Sequence, residues 1–139
     1  MKKFINANIY RNEDATEILV EKGVITQIGK NLPMAEEEID LKGRLVVPPY
    51  VDAHLHLDYV YTGRNDGATN DTGTLFEGIA RWHDVKKHQT YEDAKERALR
   101  GIQEEVSKGV QFIRTHIDVD DPKLTGLKAM LEIPEELKD

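Results

Sequence analysis

Two segments of the chain, 51–58 and 113–119, alternate strictly between apolar and polar side chains, as β-strands do. The polar positions are Asp52, His54, His56 and Asp58 in the first segment and Arg114, His116 and Asp118 in the second. An open parallel sheet that is covered by helices on both sides is apolar on both faces. The polar faces therefore indicate a closed barrel, with functional side chains at the C-terminal strand ends.

The pattern of the chain changes at Pro48-Pro49, because two prolines end a strand ladder and fix the chain direction. Before them, short apolar runs, a turn signal at Lys22-Gly23 and a third stretch over 39–47 predict a small β-module. After them, strands alternate with helices, which is typical of a parallel sheet. The sequence thus predicts an α/β chain with domains 1–49 and 50–139.

Three helices are predicted after residue 50, each from its N-terminal signal. Thr74 and Thr90 each stand three positions before an acidic residue, which is the spacing of a capping box. Asp121 followed by Pro122 predicts a third start, and Pro134 its end. The apolar face expected for this third helix consists of Leu124, Leu127, Lys128 and Leu131.

Composition excludes several classes of protein. A net charge of −7 argues against binding to polymeric nucleic acid, which requires a basic surface. The chain has no cysteine, so a metal would be held by His, Asp or Glu. No apolar run approaches the ~20 residues that span a bilayer, and no signal-peptide core is evident. We therefore expect a cytoplasmic protein that does not bind membranes.

His54 and His56 are the strongest candidates for metal ligands. They lie two residues apart on one predicted strand, so their imidazoles project side by side and can bind Zn²⁺ or Fe²⁺. The alternative is a structural pair that is bonded to the backbone or to neighbouring carboxylates. His83 and His88 fall on or just after a charged helix, and we expect them to be solvated.

Three further residues are candidates for supporting the two histidines. Asp58 either orients them as a hydrogen-bond acceptor or caps the next segment. His116 is either a support behind the ligands or a packed interior histidine. Asp118 either supports the site or pairs with Arg114 on the same strand face. The long polar loop over 59–73 is expected to overhang the site, or else to be a disordered surface excursion.

Four stretches resemble the cytosine deaminase branch of the amidohydrolase superfamily. They are Pro48–Asp58 with its His-Leu-His-Leu-Asp run, Gly73–Trp82, Arg114–Val119 and Leu124–Glu132, in that order. The resemblance implies a metal-dependent hydrolase (β/α)₈ barrel with a flanking β-sandwich. Residues 1–49 would then be the N-terminal portion of the sandwich, and residues 50–139 the first two barrel strands with their helices.

The resemblance also implies one divalent metal ion per complete site, iron or zinc, with His54 and His56 as the first two ligands. Leu75 matches a residue beside the substrate pocket. The remaining ligands and the proton-transferring groups have no counterpart in residues 1–139. The implied reaction is hydrolytic deamination of a free nucleobase, in which cytosine becomes uracil and ammonia.

A (β/α)₈ barrel requires ~250 residues, so we expect an N-terminal fragment of a cytosine deaminase-like protein that is inactive by itself. It would be a deliberately shortened protein, a truncated reading frame, or a separate chain that associates with itself or with the missing portion. Two other functions stay open. One is an amidohydrolase that acts on a triazine, an imidazolone or a cyclic amide. The other is a non-enzymatic fragment that folds by association through exposed strand edges.

Overall fold

The computed structural model describes residues 1–64, 67 and 69–138. The chain is mixed α/β and divides into two compact units, residues 1–48 and 49–139. Among the described residues, no helix combines the length and the apolar character that a bilayer crossing requires.

The first unit consists of β-strands. These are β1 (Lys2–Ile5), β2 (Asn8–Ile9), β3 (Glu17–Glu21), β4 (Val24–Gly29), β5 (Glu37–Asp40) and β6 (Leu45–Val46). Four of them form a sheet in the order β4-β3-β1-β5, in which β1 and β5 are parallel, and β2 pairs with β6 in parallel. The predicted hairpin at Lys22-Gly23 is confirmed, since β3 and β4 are antiparallel.

The third stretch predicted over 39–47 contains parts of two strands rather than a single one. The chain turns at Lys42 and Gly43, whose φ angles are 51° and 76°. Positive φ lies outside the extended region that a strand requires, and glycine adopts it without strain. The segment therefore divides into β5 and β6, which belong to different sheets.

The second unit alternates strands with helices. Its elements are β7 (Tyr50–Leu55), a 3-10 helix (Thr62–Arg64), α1 (Leu75–His88), α2 (Tyr91–Ser107), β8 (Val110–Thr115) and α3 (Thr125–Glu136). Strands β7 and β8 are parallel neighbours, and the connection between them carries α1 and α2. Parallel neighbours need such a crossover, because a tight turn can join only antiparallel strands.

The first two helix starts are as predicted. The hydroxyl of Thr74 accepts the Glu77 N–H at 3.3 Å, and that of Thr90 accepts the Asp93 N–H at 3.1 Å. The predicted start of the third helix at Asp121 is wrong. The Asp121 carboxylate accepts the backbone N–H groups of Lys123 and Thr125, both at 2.9 Å, and this closes a turn ahead of α3.

The core of the second unit lies where α2 and α3 pack together near the end of β7. Its buried members are Leu57, Ala94, Ala98, Ala129, Met130 and Ile133. The alanines of both helices are fully buried, and their small side chains allow the two helices to approach closely. The predicted apolar face of α3 is therefore wrong. Leu131 is 65% exposed, whereas Met130 and Ile133 face α2 and the core.

We predict that Ala98→Leu destabilises the second unit by about 1–3 kcal/mol, because added methylene groups strain a closely packed helix contact. The same substitution at Ala80, which is exposed on α1, is the control. The free energy of unfolding in urea measures both. Equal stability of the two variants would contradict the packing of α2 against α3.

We predict that Asp121 makes the free energy of unfolding depend on pH in the acidic range. Its two backbone N–H donors lower the pKa of Asp121 from 3.8 to about 2. The folded state therefore favours the carboxylate, and this stabilisation is present above the unfolded pKa and lost as pH falls toward 2.

Unfolding curves at a series of pH values between about 5 and 2 test this prediction. The stability of Asp121→Asn should fall less over this range than that of the unsubstituted chain. Asp14→Asn, at an exposed carboxylate of the first unit, controls for the loss of one negative charge. Parallel curves for the unsubstituted chain and Asp121→Asn would refute the prediction.

Candidate metal centre

The ends of the two parallel strands place the candidate ligands side by side. Strand β7 ends at Leu55, so His54 lies in the strand and His56 in the segment that follows it. The N–H of His116 donates to the Leu55 carbonyl at 2.7 Å, and the N–H of Leu57 donates to Thr115 Oγ1 at 3.1 Å. Each bond joins the last residue of one strand to a residue just after the other strand. The two segments that carry the histidines therefore stay adjacent.

Three imidazole rings form a cluster at this end. The ring centres of His54 and His56 are 5.5 Å apart, and His116 stacks on His54 at 4.1 Å and lies 5.8 Å from His56. The predicted neighbourhood of His54 and His56 is present, and His116 joins it. Within the part of the chain that the structure describes, no group of three or more His, Cys, Asp or Glu residues is arranged to hold a metal ion.

The surroundings of His116 favour its neutral form. Its pKa is lowered first by burial, and then by the neighbouring His54, Arg114 and His56. Its Nδ1 is buried and has no hydrogen-bond partner among the described residues. A neutral imidazole with an unoccupied nitrogen has the chemistry of a metal ligand or of a hydrogen-bond partner to a bound group.

Asp58 is buried and lies in the turn after β7, rather than on the polar face of the strand. The strand has already ended, and the N–H of Tyr59 donates to the His56 carbonyl at 3.0 Å. Asp58 is 1% exposed, and one of its carboxylate oxygens accepts the N–H of Asp118 at 3.0 Å. Its other oxygen is 3.8 Å from His56 Nδ1, beyond hydrogen-bond distance. Burial is the main cause that raises the pKa of Asp58.

Arg97 of α2 contacts the same turn and was not foreseen from the sequence. Its guanidinium donates to the backbone carbonyls of Asp58 at 3.1 Å and Val60 at 2.7 Å, and its Nε donates to Asp93 at 3.0 Å. The signal in the sequence was an arginine directly before Ala98 in a helix whose small apolar residues Ala94 and Ala98 recur four positions apart.

Asp118 binds α1 rather than Arg114. The indole N–H of Trp82 donates to its carboxylate at 2.5 Å, and the Lys86 ammonium lies 3.6 Å from the same oxygen. Lys86 also pairs with Asp120. The Tyr59 ring meets the Trp82 ring edge-on, with centres 4.7 Å apart. These contacts attach the segment after β8 to α1.

A cavity of about 490 Å³ opens beside the histidine cluster. Its lining residues are His56, Tyr59, Asn70, Gly73, Thr74, Leu75, Gly78, Ile79, Trp82 and Asp118. Leu75, the first residue of α1, is 75% exposed and borders this cavity. The loop that was predicted to overhang the site contributes Tyr59, Asn70 and Gly73, while residues 65, 66 and 68 of that loop lie outside the described residues.

The other two histidines lie away from the strand ends. His83 and His88 are exposed on α1, and His83 Nε2 is 3.5 Å from an oxygen of Asp120. Neither lines the cavity beside His56.

Residues 37–136 match the amidohydrolase family, and the chain belongs to it. The solved structure of 5-methylcytosine deaminase from Klebsiella pneumoniae, liganded with 5-fluorocytosine, superposes with a TM-score of 0.83 and 40% identity over 96% of this chain and 33% of that enzyme. The predicted resemblance to the cytosine deaminases is thereby confirmed.

Curated relatives have other names within the family. The N-isopropylammelide isopropyl amidohydrolase of Pseudomonas sp. (strain ADP) is 35% identical over 108 residues, which are 75% of this chain and 27% of the relative. The dihydroorotase of Bacillus cytotoxicus is 41% identical over 71 residues, 48% of this chain and 16% of the relative. The chain thus spans about a quarter or less of the length of these two relatives.

We predict that Asp118→Ala shifts the emission of Trp82, the only tryptophan of the chain, to longer wavelength. In this variant the indole N–H loses its charge-assisted hydrogen bond to the carboxylate. Water takes the place of the carboxylate, so the surroundings of the indole change. Asp120→Ala is the matched control, because Asp120 pairs with Lys86 but not with Trp82. Fluorescence spectra compare the variants, and an equal shift in both would argue against the Trp82–Asp118 bond.

Proposed function

We propose that this chain provides the first two metal ligands and part of the substrate pocket of a hydrolytic deaminase. Its substrate would be a free pyrimidine base, with cytosine converted to uracil and ammonia. The observation that carries the proposal is the position of His54 and His56. They lie at the C-terminal end of a parallel strand, and His56 lines a cavity there. The chain is 40% identical to a 5-methylcytosine deaminase over 96% of its length.

The proposed architecture is the beginning of a (β/α)₈ barrel. Strands β7 and β8 would be its first two strands, and residues 1–49 the N-terminal portion of a β-sandwich before the barrel domain of residues 50–139. The parallel pairing of β7 and β8 across a helical connection supports the barrel. Functional groups of such barrels lie at the C-terminal strand ends, where His54, His56 and His116 cluster.

The donor set fits part of a site for zinc or iron. Imidazole nitrogens suit both metals, and the chain has no thiol that would compete for them. His54 and His56 would hold the ion, and such an ion would supply the activation of water for hydrolysis. His116, Asp58 and Asp118 would support the ligands. His116 stacks on His54, Asp58 faces His56, and Asp118 donates its N–H to Asp58.

The pocket has the surfaces that a flat heterocycle requires. Leu75 and Ile79 contribute apolar lining, and the rings of Tyr59 and Trp82 and the Asp118 carboxylate line the same cavity. Small-molecule sites combine a mostly apolar lining with few polar groups that fix orientation. We propose Leu75 as a substrate-contacting residue on this basis.

Two imidazoles are half of the four ligands of a tetrahedral site. The site therefore needs further ligands besides His54 and His56. A metal held by His54 and His56 alone stays largely hydrated. We therefore propose that the 139-residue chain is inactive by itself, and that activity belongs to a longer protein or to an assembly that completes the site.

Self-association is a second proposal for the isolated chain. The large apolar residues Tyr50, Val51 and Phe112 of β7 and β8 are all more than half exposed. Burying them would stabilise an oligomer or a complex with a partner chain. Gel filtration at several protein concentrations tests this, and a monomer at every concentration would refute it.

We predict that His54→Ala and His56→Ala each abolish the weak binding of Zn²⁺ or Co²⁺ by the chain, because a single imidazole retains too few bonds to the ion. His88→Ala, at the exposed end of α1, is the matched control and should bind like the unsubstituted chain. Isothermal titration calorimetry measures the affinity. Unchanged binding in His56→Ala would show that the pair is structural.

We predict that the protein expressed over its full coding sequence releases ammonia from cytosine or 5-methylcytosine, and that residues 1–139 alone do not. The panel includes a triazine, an imidazolone and dihydroorotate, because relatives of this chain include other amidohydrolases. Ammonia release and the loss of substrate absorbance are the measurements. Turnover of a triazine with none of either pyrimidine would remove the pyrimidine assignment.

A further inference from the structure

Arg97 is a buried charge whose hydrogen bonds go to the backbone of the candidate site. Its side chain extends from α2, and the residue is 9% exposed. Its Nη1 donates to both the Asp58 and Val60 carbonyls, at 3.1 and 2.7 Å. A buried cation is costly unless it is paired, and Asp93, one helical turn earlier, neutralises it at 3.0 Å. Helix stability alone does not require this arrangement.

The segment that Arg97 holds is the turn directly after the histidine pair. It starts at His56, whose carbonyl accepts the Tyr59 N–H, and it carries the buried Asp58. One hydrogen bond holds the Asp58 side chain, whose carboxylate accepts the Asp118 N–H at 3.0 Å. Gly126 lies close to it, since a Cβ added at Gly126 would be only 3.2 Å from Asp58 Cβ. Arg97 acts on the backbone of the turn at the carbonyls of Asp58 and Val60, whereas the bond from the Leu57 N–H to Thr115 holds the start of the turn.

We propose that Arg97 is a positioning residue of the candidate metal centre. By fixing the carbonyls of Asp58 and Val60 it sets the path of the turn, and so the placement of the His56 ring against the Asp58 carboxylate. It touches neither metal nor substrate. The role in metal binding rests on the proposed function, whereas the placement of His56 is a property of the chain without metal.

Arg100 provides a control on the same helix face. It lies one turn after Arg97 and contacts the same loop, with its guanidinium 4.5 Å from the centre of the Tyr61 ring. Its contact is with a side chain further along the loop, and Arg100 is exposed. Replacing Arg100 removes the same charge and a loop contact but leaves the carbonyls of Asp58 and Val60 bonded.

The experiment compares Arg97→Met, Arg97→Lys and Arg100→Met with the unsubstituted chain, below the unfolding temperature of every variant. The first readout is the ¹⁵N signals of the His56 ring in the metal-free protein. The second is the affinity for Zn²⁺. Arg97→Met should shift the His56 signals and weaken Zn²⁺ binding about 10–100-fold, as loss of a residue that orients a ligand does. Arg100→Met should change neither.

Arg97→Lys keeps the charge beside Asp93 but lacks the planar fork that reaches both carbonyls. Its effects should be in the same direction and smaller. If Arg97→Met does not fold, Arg97→Lys decides the question by the same two readouts.

Each outcome bears on a different statement. Unshifted His56 signals in the Arg97 variants would overturn the positioning role, and so would equal shifts in Arg100→Met. If the signals shift but Zn²⁺ affinity is unchanged, Arg97 does not act on the metal centre. If the unsubstituted chain binds no Zn²⁺, or His56→Ala binds it equally, the proposed metal ligands fail. The His56 signals then still test whether Arg97 positions the ring.

Discussion

The parallel pairing of β7 and β8 is the constraint on which the second unit depends. Two strands that run in the same direction end at the same edge, so residues distant in sequence become neighbours there. The bond from the His116 N–H to the Leu55 carbonyl, and that from the Leu57 N–H to Thr115, extend this pairing past the strand ends. The histidine cluster and the cavity both lie where this pairing stops.

Hydrogen bonds of Asp58, Arg97 and Asp118 connect the segments below that edge to one another. The Asp58 carboxylate accepts an N–H from the segment after β8, and the carbonyl of Asp58 accepts Arg97 of α2. A third contact joins Asp118 to Trp82 of α1. Buried polar groups are costly when they lack partners and specify one arrangement when they have them. This network therefore holds both helices and both strand ends in one geometry.

Short sequence motifs correctly predicted the helix caps and the hairpin, which depend on interactions between residues close in sequence. The caps at Thr74 and Thr90 and the hairpin at Lys22-Gly23 each depend on residues a few positions apart, and all three are present. The start of α3 was mispredicted because Asp121 can close a turn as well as cap a helix. Which of the two forms depends on how the helix packs, and a short sequence window does not contain that information.

The sequence by itself determined the polar face of each strand and the proximity of His54 to His56, because side chains two positions apart on an extended backbone project to the same side. Only the tertiary structure decided that His116 stacks on His54, that Asp58 is buried, and that Arg97 bonds to the turn after His56. These contacts join residues about 40 to 60 positions apart, and they form only when the parallel strands and α2 pack together.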